Sequence, residues 1–167
     1  MFIRNESSDY SEKNIITNSK AINLQNYIRK NIPLTNFMEF SITELEENFI
    51  KLTVPIKPNG NHYNTAFGGS ISTLGIVCCW ALLQQKMNDD EQPGIIVIQE
   101  SNTQYKKPAR TDFSAECLIE NPNDWQNFKD ELNSNGKSKI ELISKLYSEG
   151  NLIAVHKGSY FGLLKAR

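Results

Sequence analysis

The chain has 167 residues, a formal net charge of −1, and 39% hydrophobic against 22% charged residues. That size suits one domain with a buried core, and so balanced a charge gives no electrostatic footing for nucleic acid or an anionic membrane. Three cysteines (Cys78, Cys79, Cys117) and two histidines (His62, His156), with no CxxC or HExxH spacing, exclude a disulfide framework and leave no recognisable metal site.

No metal and no resident cofactor is therefore expected. The N-terminal MFIRNESSDYSEKN lacks an apolar signal core. The longest apolar run, Ile71 to Leu83, is short of the roughly 18 residues that a membrane span needs. A cytoplasmic protein in a reducing compartment, bound to neither membrane nor nucleic acid, is the expectation.

Residues 1–17 are rich in Asn, Ser, Glu and Lys, and read as a loose arm before a single domain over 18–167. SKAINLQNYIRKNIPL then places Ile22, Tyr27, Ile28 and Ile32 near helical spacing, with Pro33 as the stop. MEFSITELEENFIKLTVPI reads as two strands about a Glu46-Glu47-Asn48 turn, the second ended by Pro58, Asn59 and Gly60. One long helix is expected over Thr65–Lys86, capped by Thr65 or Asn64 and apolar almost all round. Such a helix must be wrapped.

The wrapping follows in sequence. GIIVIQESNTQYKKP, FSAECLIENP, KSKIELISKLYSEG and NLIAVHKGSYFGLL read as strands, with a hairpin at Glu149-Gly150-Asn151 and a short helix over Asp124–Asn135 ended by Gly136. Strands in runs with few helices give an α+β class, an antiparallel sheet of five or six strands curved around one central helix.

Gly68 and Gly69 open that helix, where each glycine costs roughly 0.5–1 kcal/mol against alanine in a helix interior. Two readings stand open. The pair lets the helix start pass close beneath a strand, or it serves chemistry. A helix N-terminus presents unpaired N–H groups and partial positive charge. Bare glycine amides there could form an oxyanion hole for a substrate carbonyl, one such donor being worth about 2.7–4 kcal/mol of barrier.

The quotable blocks are Ile32-Pro33-Leu34, Pro58-Asn59-x-Asn61, Thr65-Ala66-Phe67-Gly68-Gly69-Ser70 and Tyr105-x-x-Pro108. Over about residues 20–165 the chain resembles the hotdog superfamily, and within it the thioesterase family named for the YiiD C-terminal domain. The resemblance implies dimers that join two sheets edge to edge, or dimers of dimers. It also implies an acyl-thioester substrate carried on coenzyme A or acyl carrier protein, so that coenzyme A or phosphopantetheine enters as part of the substrate.

The chain departs from a common hotdog pattern. Phe67 stands where many relatives have His, and no acid occurs between Lys51 and Lys86. Asn61 matches the family's loop asparagine and is a candidate to hold water or substrate; its ordinary alternative is an Asx-turn. Glu100 on the next strand is the candidate base, if burial raises its pKa. Asn64, Phe67, Ser70 and Thr73 are candidates to line the cleft, and Lys106, Lys107 and Arg110 to meet coenzyme A phosphates or an acidic carrier. Asn59 reads as a turn residue, His62 as exposed, Cys78 and Cys79 as core, and Trp80, Leu82 and Leu83 as core or an acyl tunnel. His156 has no legible partner.

Three activities fit. The first is hydrolysis of an acyl thioester, with Gly68 and Gly69 as oxyanion hole. The second is decarboxylation of a malonyl thioester, associated with some members of the family, which needs a stabilised enolate and no water-activating base. The third is binding without turnover, since a fold alone does not establish catalysis.

Overall fold

Alternation of burial along the strands folds the chain into one six-stranded antiparallel sheet. The computed structural model describes the backbone of residues 6–164 and the side chains of residues 19–164. In chain order the elements are α1 (Glu6–Asn31), α2 (Leu34–Met38), β1 (Ser41–Leu45), β2 (Phe49–Val54), α3 (Ile56–Asn59), α4 (Gly68–Asp89), β3 (Ile95–Tyr105), β4 (Phe113–Leu118), α5 (Pro122–Asn135), β5 (Lys137–Ser148) and β6 (Asn151–Leu163). The sheet order is β1-β2-β4-β5-β6-β3, so β3 lies on an outer edge. Its inner face packs α4 against β2, β3, β4, β5 and β6. This is the curved α+β sheet around one long helix that the sequence predicts.

Along β5, Ser138, Ile140, Leu142, Ser144 and Leu146 face inward and are buried, while Lys139, Glu141, Ile143 and Lys145 face outward. The β5–β6 turn carries Glu149 at φ 50° and Gly150 at φ 74°. Two successive positive φ angles are what a tight hairpin needs to match the strand twist. α5 packs on β5 and β6, burying Trp125, Phe128 and Leu132.

Four expectations are corrected. Helix α1 starts at Glu6, so from there on the stretch expected as a loose arm is helical; residues 1–5 lie outside the described ones. Extending an existing helix adds one backbone bond per residue fixed, which is cheaper than nucleating one. Among its described side chains, the buried face of α1 is Ala21, Leu24 and Ile28, whereas Ile22 and Tyr27 are exposed. Ile56 leaves the strand for α3, whose first N–H, on Ile56, donates to Asp112 Oδ1 at 2.9 Å. Finally, α4 is not sheathed all round. Gly69, Thr73, Ile76 and Trp80, spaced so as to share one helix face, remain half-buried.

Candidate active site

The loop before α4 consumes its own polar groups. Asn61 Oδ1 accepts from Tyr63 N at 2.9 Å and Thr65 N at 3.3 Å, and Asn61 Nδ2 donates to Thr65 Oγ1 at 3.0 Å. Asn64 N donates to Asn61 O, and Asn64 turns the chain at φ 59°, a conformation asparagine tolerates. Ala66 N donates to Ala109 O and Phe67 N to Asn59 O, both at 2.8 Å. Thr65 and Asn64 are thereby taken up before the helix begins.

The helix cap is accordingly Phe67, extended at φ −67° and ψ 131°, with no side-chain cap bond. Gly68 and Gly69 are the first two helical residues. The carbonyls that could bond them lie outside the helix, and the N–H groups of Gly68 and Gly69 have no acceptor among the described residues. The two donors are uncapped at the positive end of the longest fully described helix.

Neither glycine is there for backbone conformation, since neither has positive φ. A β-carbon on Gly68 would meet the Tyr105 ring at 3.5 Å, an ordinary contact. One on Gly69 would run into the outer edge of the exposed Phe67 ring. A packing need is found instead at Gly75, where a β-carbon would lie 2.7 Å from His156 Cβ and 3.1 Å from Ser144 Oγ.

The predicted residues divide. Gly68, Gly69, Phe67, Ser70 and Thr73 sit together at the helix start, all of them exposed or half-buried. Tyr105, of the Tyr-x-x-Pro block, lies over Gly68 and donates its hydroxyl to Gly68 O at 2.9 Å. Lys106, Lys107 and Arg110 follow on an exposed segment that the Ala66–Ala109 bond draws alongside the loop. Asn61 belongs to the loop's Asx-turn, so both ends of its carboxamide are engaged within the loop.

Glu100 is not brought to the pair. It is paired with Ser159, whose hydroxyl donates to the outward Glu141, and its charge is felt by the exposed Lys157. Ser101 and Thr103, on the opposite face of β3, are the residues that turn toward α4. A bulge between Ile98 and Glu100 sets this phase, and a sequence pattern does not show it. His62 is exposed and stacks on Tyr63; Leu82 and Leu83 are core; Trp80 donates Nε1–H to Ile96 O at 3.0 Å. Two cavities of about 390 and 430 Å³ open on the outer face of the sheet, lined by residues such as Lys51 and Glu116, and by Leu118 and Ile143, and neither includes the glycine loop.

Sequence reasoning missed three residues. Asn59 is buried and brackets the helix start, donating Nδ2–H to Met38 O and Pro55 O at 2.8 Å each. Tyr160 is buried and donates to Ile76 O at 3.1 Å. His156, also buried, lies 3.2 Å from the Tyr160 oxygen through Nε2, and 3.3 Å from Thr103 Oγ1 through Nδ1. Burial holds its pKa down at about 4. Burial also pushes the Cys78 thiol well up, and the Cys117 thiol is raised by a hydrogen bond with Cys79 and by burial, so both stay protonated core residues. Among the described residues no His/Cys/Asp/Glu cluster suited to a metal occurs, and no helix is long and apolar enough to cross a membrane.

The YiiD C-terminal family, described as "Putative thioesterase (yiiD_Cterm)", matches this chain over residues 21–164. The chain belongs to that family. Its fold is similar to that of a protein of unknown function from Chlorobaculum tepidum TLS, at 25% identity and TM-score 0.85, covering 89% of this chain and 97% of that one. A "putative thioesterase" from Shewanella oneidensis is 21% identical with TM-score 0.75, covering 87% and 98%. A thioesterase enzyme from Staphylococcus aureus is 20% identical with TM-score 0.63, covering 78% and 98%. The YiiD C-terminal chain described here thus has the hotdog fold, with its glycine pair at the start of the central helix.

Proposed function

We propose that this YiiD C-terminal protein hydrolyses an acyl thioester whose carbonyl oxygen is held by the Gly68 and Gly69 N–H groups. The observation that carries this reading is the uncapped state of those two donors at the start of a 22-residue helix. Negative charge that develops on the acyl oxygen in the tetrahedral intermediate would meet two preorganised dipoles and the helix field, and either donor would be worth about 2.7–4 kcal/mol of barrier. Phe67, Thr73, Ile76 and Trp80 offer the acyl group a mostly apolar stripe. Lys106, Lys107 and Arg110, beside the mouth, are placed to attract the phosphates of coenzyme A or an acidic carrier protein.

The active species in this proposal is a dimer. Strand β3 has an unpaired edge in the chain, and it exposes Ile95, Val97, Ile98 and Tyr105 beside the exposed Phe67. An apolar outer strand of this kind is a template for a second copy.

One observation favours a second reading. With Glu100 turned outward and no acid between Lys51 and Lys86, no water-activating carboxylate is placed at the glycines among the described residues. Decarboxylation of a malonyl thioester needs only a stabilised enolate oxygen, which the same donors supply. Incubation with acetyl, malonyl and long-chain acyl thioesters of coenzyme A and carrier protein separates the possibilities. Free thiol marks hydrolysis, which is the expected result. Carbon dioxide with acetyl thioester marks decarboxylation, and binding without product marks a non-catalytic module and overturns both enzymatic readings.

A further inference from the structure

The two bare amides lie between two aromatic rings. A β-carbon on Gly68 would touch Cε1, Cζ and the hydroxyl oxygen of Tyr105, all at 3.5 Å. One on Gly69 would overlap Phe67 Cε1 and stand 3.0 Å from both Cδ1 and Cζ, so an edge of that ring is seated against the Gly69 α-carbon. The rings are not held alike. Tyr105 is anchored by its hydroxyl, which donates to Gly68 O at 2.9 Å. Phe67 has its backbone fixed at both groups, its N–H donating to Asn59 O at 2.8 Å and its carbonyl accepting from Ile71 N at 3.1 Å, but its ring is 56% exposed.

The seat of the Phe67 ring matters because of what lies behind it. Gly69, Thr73, Ile76 and Trp80 follow one another along a single face of α4. A substrate oxygen held by the two amides sits about 3 Å off the N-terminal end of the helix, since the N–H bonds point that way. The acyl group attached to it must come back along the helix to use that face. Thr73 lies about 6 Å beyond Gly69, at 1.5 Å of rise per residue. What the acyl group meets first is the Phe67 ring lying on Gly69. On the Gly68 side the Tyr105 ring stands in the corresponding place.

We infer that Phe67 sets the length of the acyl group. The site takes acyl groups of roughly two to four carbons, at about 1.5 Å per carbon–carbon bond, which end against the ring. Longer ones reach Thr73, Ile76 and Trp80 only by displacing it. Gly69 then has two tasks: its missing β-carbon makes the seat for the ring, while its N–H serves the substrate oxygen. The inference rests on the acyl-thioester reading and narrows its substrate to short acyl groups.

Because the ring is exposed, its removal leaves the core intact, and the test compares chain lengths rather than absolute rates. Acetyl, butanoyl, octanoyl and dodecanoyl thioesters of coenzyme A and of carrier protein are offered to the full chain, and kcat/KM is measured for each. Calorimetry with ketone analogues of the same coenzyme A thioesters, a methylene replacing sulfur, reads the order of affinities without turnover. In the wild type both quantities are expected to fall on the order of tenfold or more from butanoyl to octanoyl. Phe67→Ala removes the fall. Gly69→Ala, whose methyl pushes the ring from its seat while keeping the N–H, removes it as well, and the double variant goes no further. Phe67→Tyr, which keeps the ring, retains the wild-type order. A wild type that takes octanoyl as readily as butanoyl overturns the inference and leaves the proposed function standing, as does a Phe67→Ala or Gly69→Ala protein with the wild-type order. A wild type that neither binds nor turns over any of these compounds overturns the proposed function, and this inference with it.

Discussion

Gly68 and Gly75 are the same residue type on one helix, yet they answer to different demands. The 3.5 Å clearance to the Tyr105 ring means that a methyl group at Gly68 fits the fold. Gly68→Ala is therefore expected to change unfolding free energy by less than about 1 kcal/mol. In the same protein, acyl-thioester turnover drops at least tenfold, because the methyl crowds the oxygen site. Thermal denaturation read alongside a thiol-release assay checks both halves. Gly75→Ala should do the reverse of this on stability. Its methyl would press on His156 Cβ at 2.7 Å, and overpacking of this kind costs about 1–3 kcal/mol; a lowered denaturation midpoint is the expected readout. The glycine pair was legible in the sequence because two helix-poor residues opened an apolar run. Gly75 was not, since the side chains that demand it belong to β5 and β6, distant strands that meet it only in the fold. The places that Asn61 and Glu100 take were not legible for related reasons. An Asx-turn and a catalytic amide look alike in a sequence, and one bulged residue decides which face of β3 a carboxylate takes.

At the scale of elements, the contact of β6 with α4 carries a pH dependence. His156 is neutral in the folded protein down to about pH 4, against an ordinary value of 6.5, and burial is the cause. Between those values the unfolded chain binds the proton and the native one does not. Stability is thus complete above about pH 6.5 and is lost as pH falls toward 4, by up to about 3 kcal/mol at 1.36 kcal/mol per unit. Its bonded neighbours are Ser101 and Thr103 from β3 and Tyr160 from β6, and the phenol of Tyr160 is pushed far upward by burial, so it does not titrate in this range. Asp90 acts lower. Its hydrogen bonds from Lys129 and then Trp125 depress its pKa below 3.8, so that contribution fades only under about pH 4. Denaturant unfolding of wild type and His156→Gln from pH 7 to 4 should show a slope between 6.5 and 4 that the variant lacks. The elements themselves were readable where periodicity was strict, as in β5. The start of α4 was placed too early because Thr65 and Asn64 are good capping residues, and only the folded loop reveals that Asn61 has already engaged Thr65.

For the whole molecule, the sequence pattern showed that a sheet must cover an apolar helix, and it does. It did not show that β3 pairs with the last strand and so ends at an edge, because strand order depends on long-range register. The exposed Ile95, Val97 and Ile98 lead to a definite expectation. Sedimentation should give twice the 19.0 kDa chain mass or a larger even multiple. Val97→Lys should shift the distribution toward single chains. A wild type that stays at 19.0 kDa at high micromolar concentration would refute the dimer.

Strand β3 thus offers its backbone edge to a neighbour while Tyr105 and Thr103 hold the front of α4. A copy docking there would stiffen the strand and, through those two hydroxyls, the groove. Dilution should then erode specific activity in parallel with dissociation, so pairing through β3 would throttle the chemistry as well as hide an apolar edge.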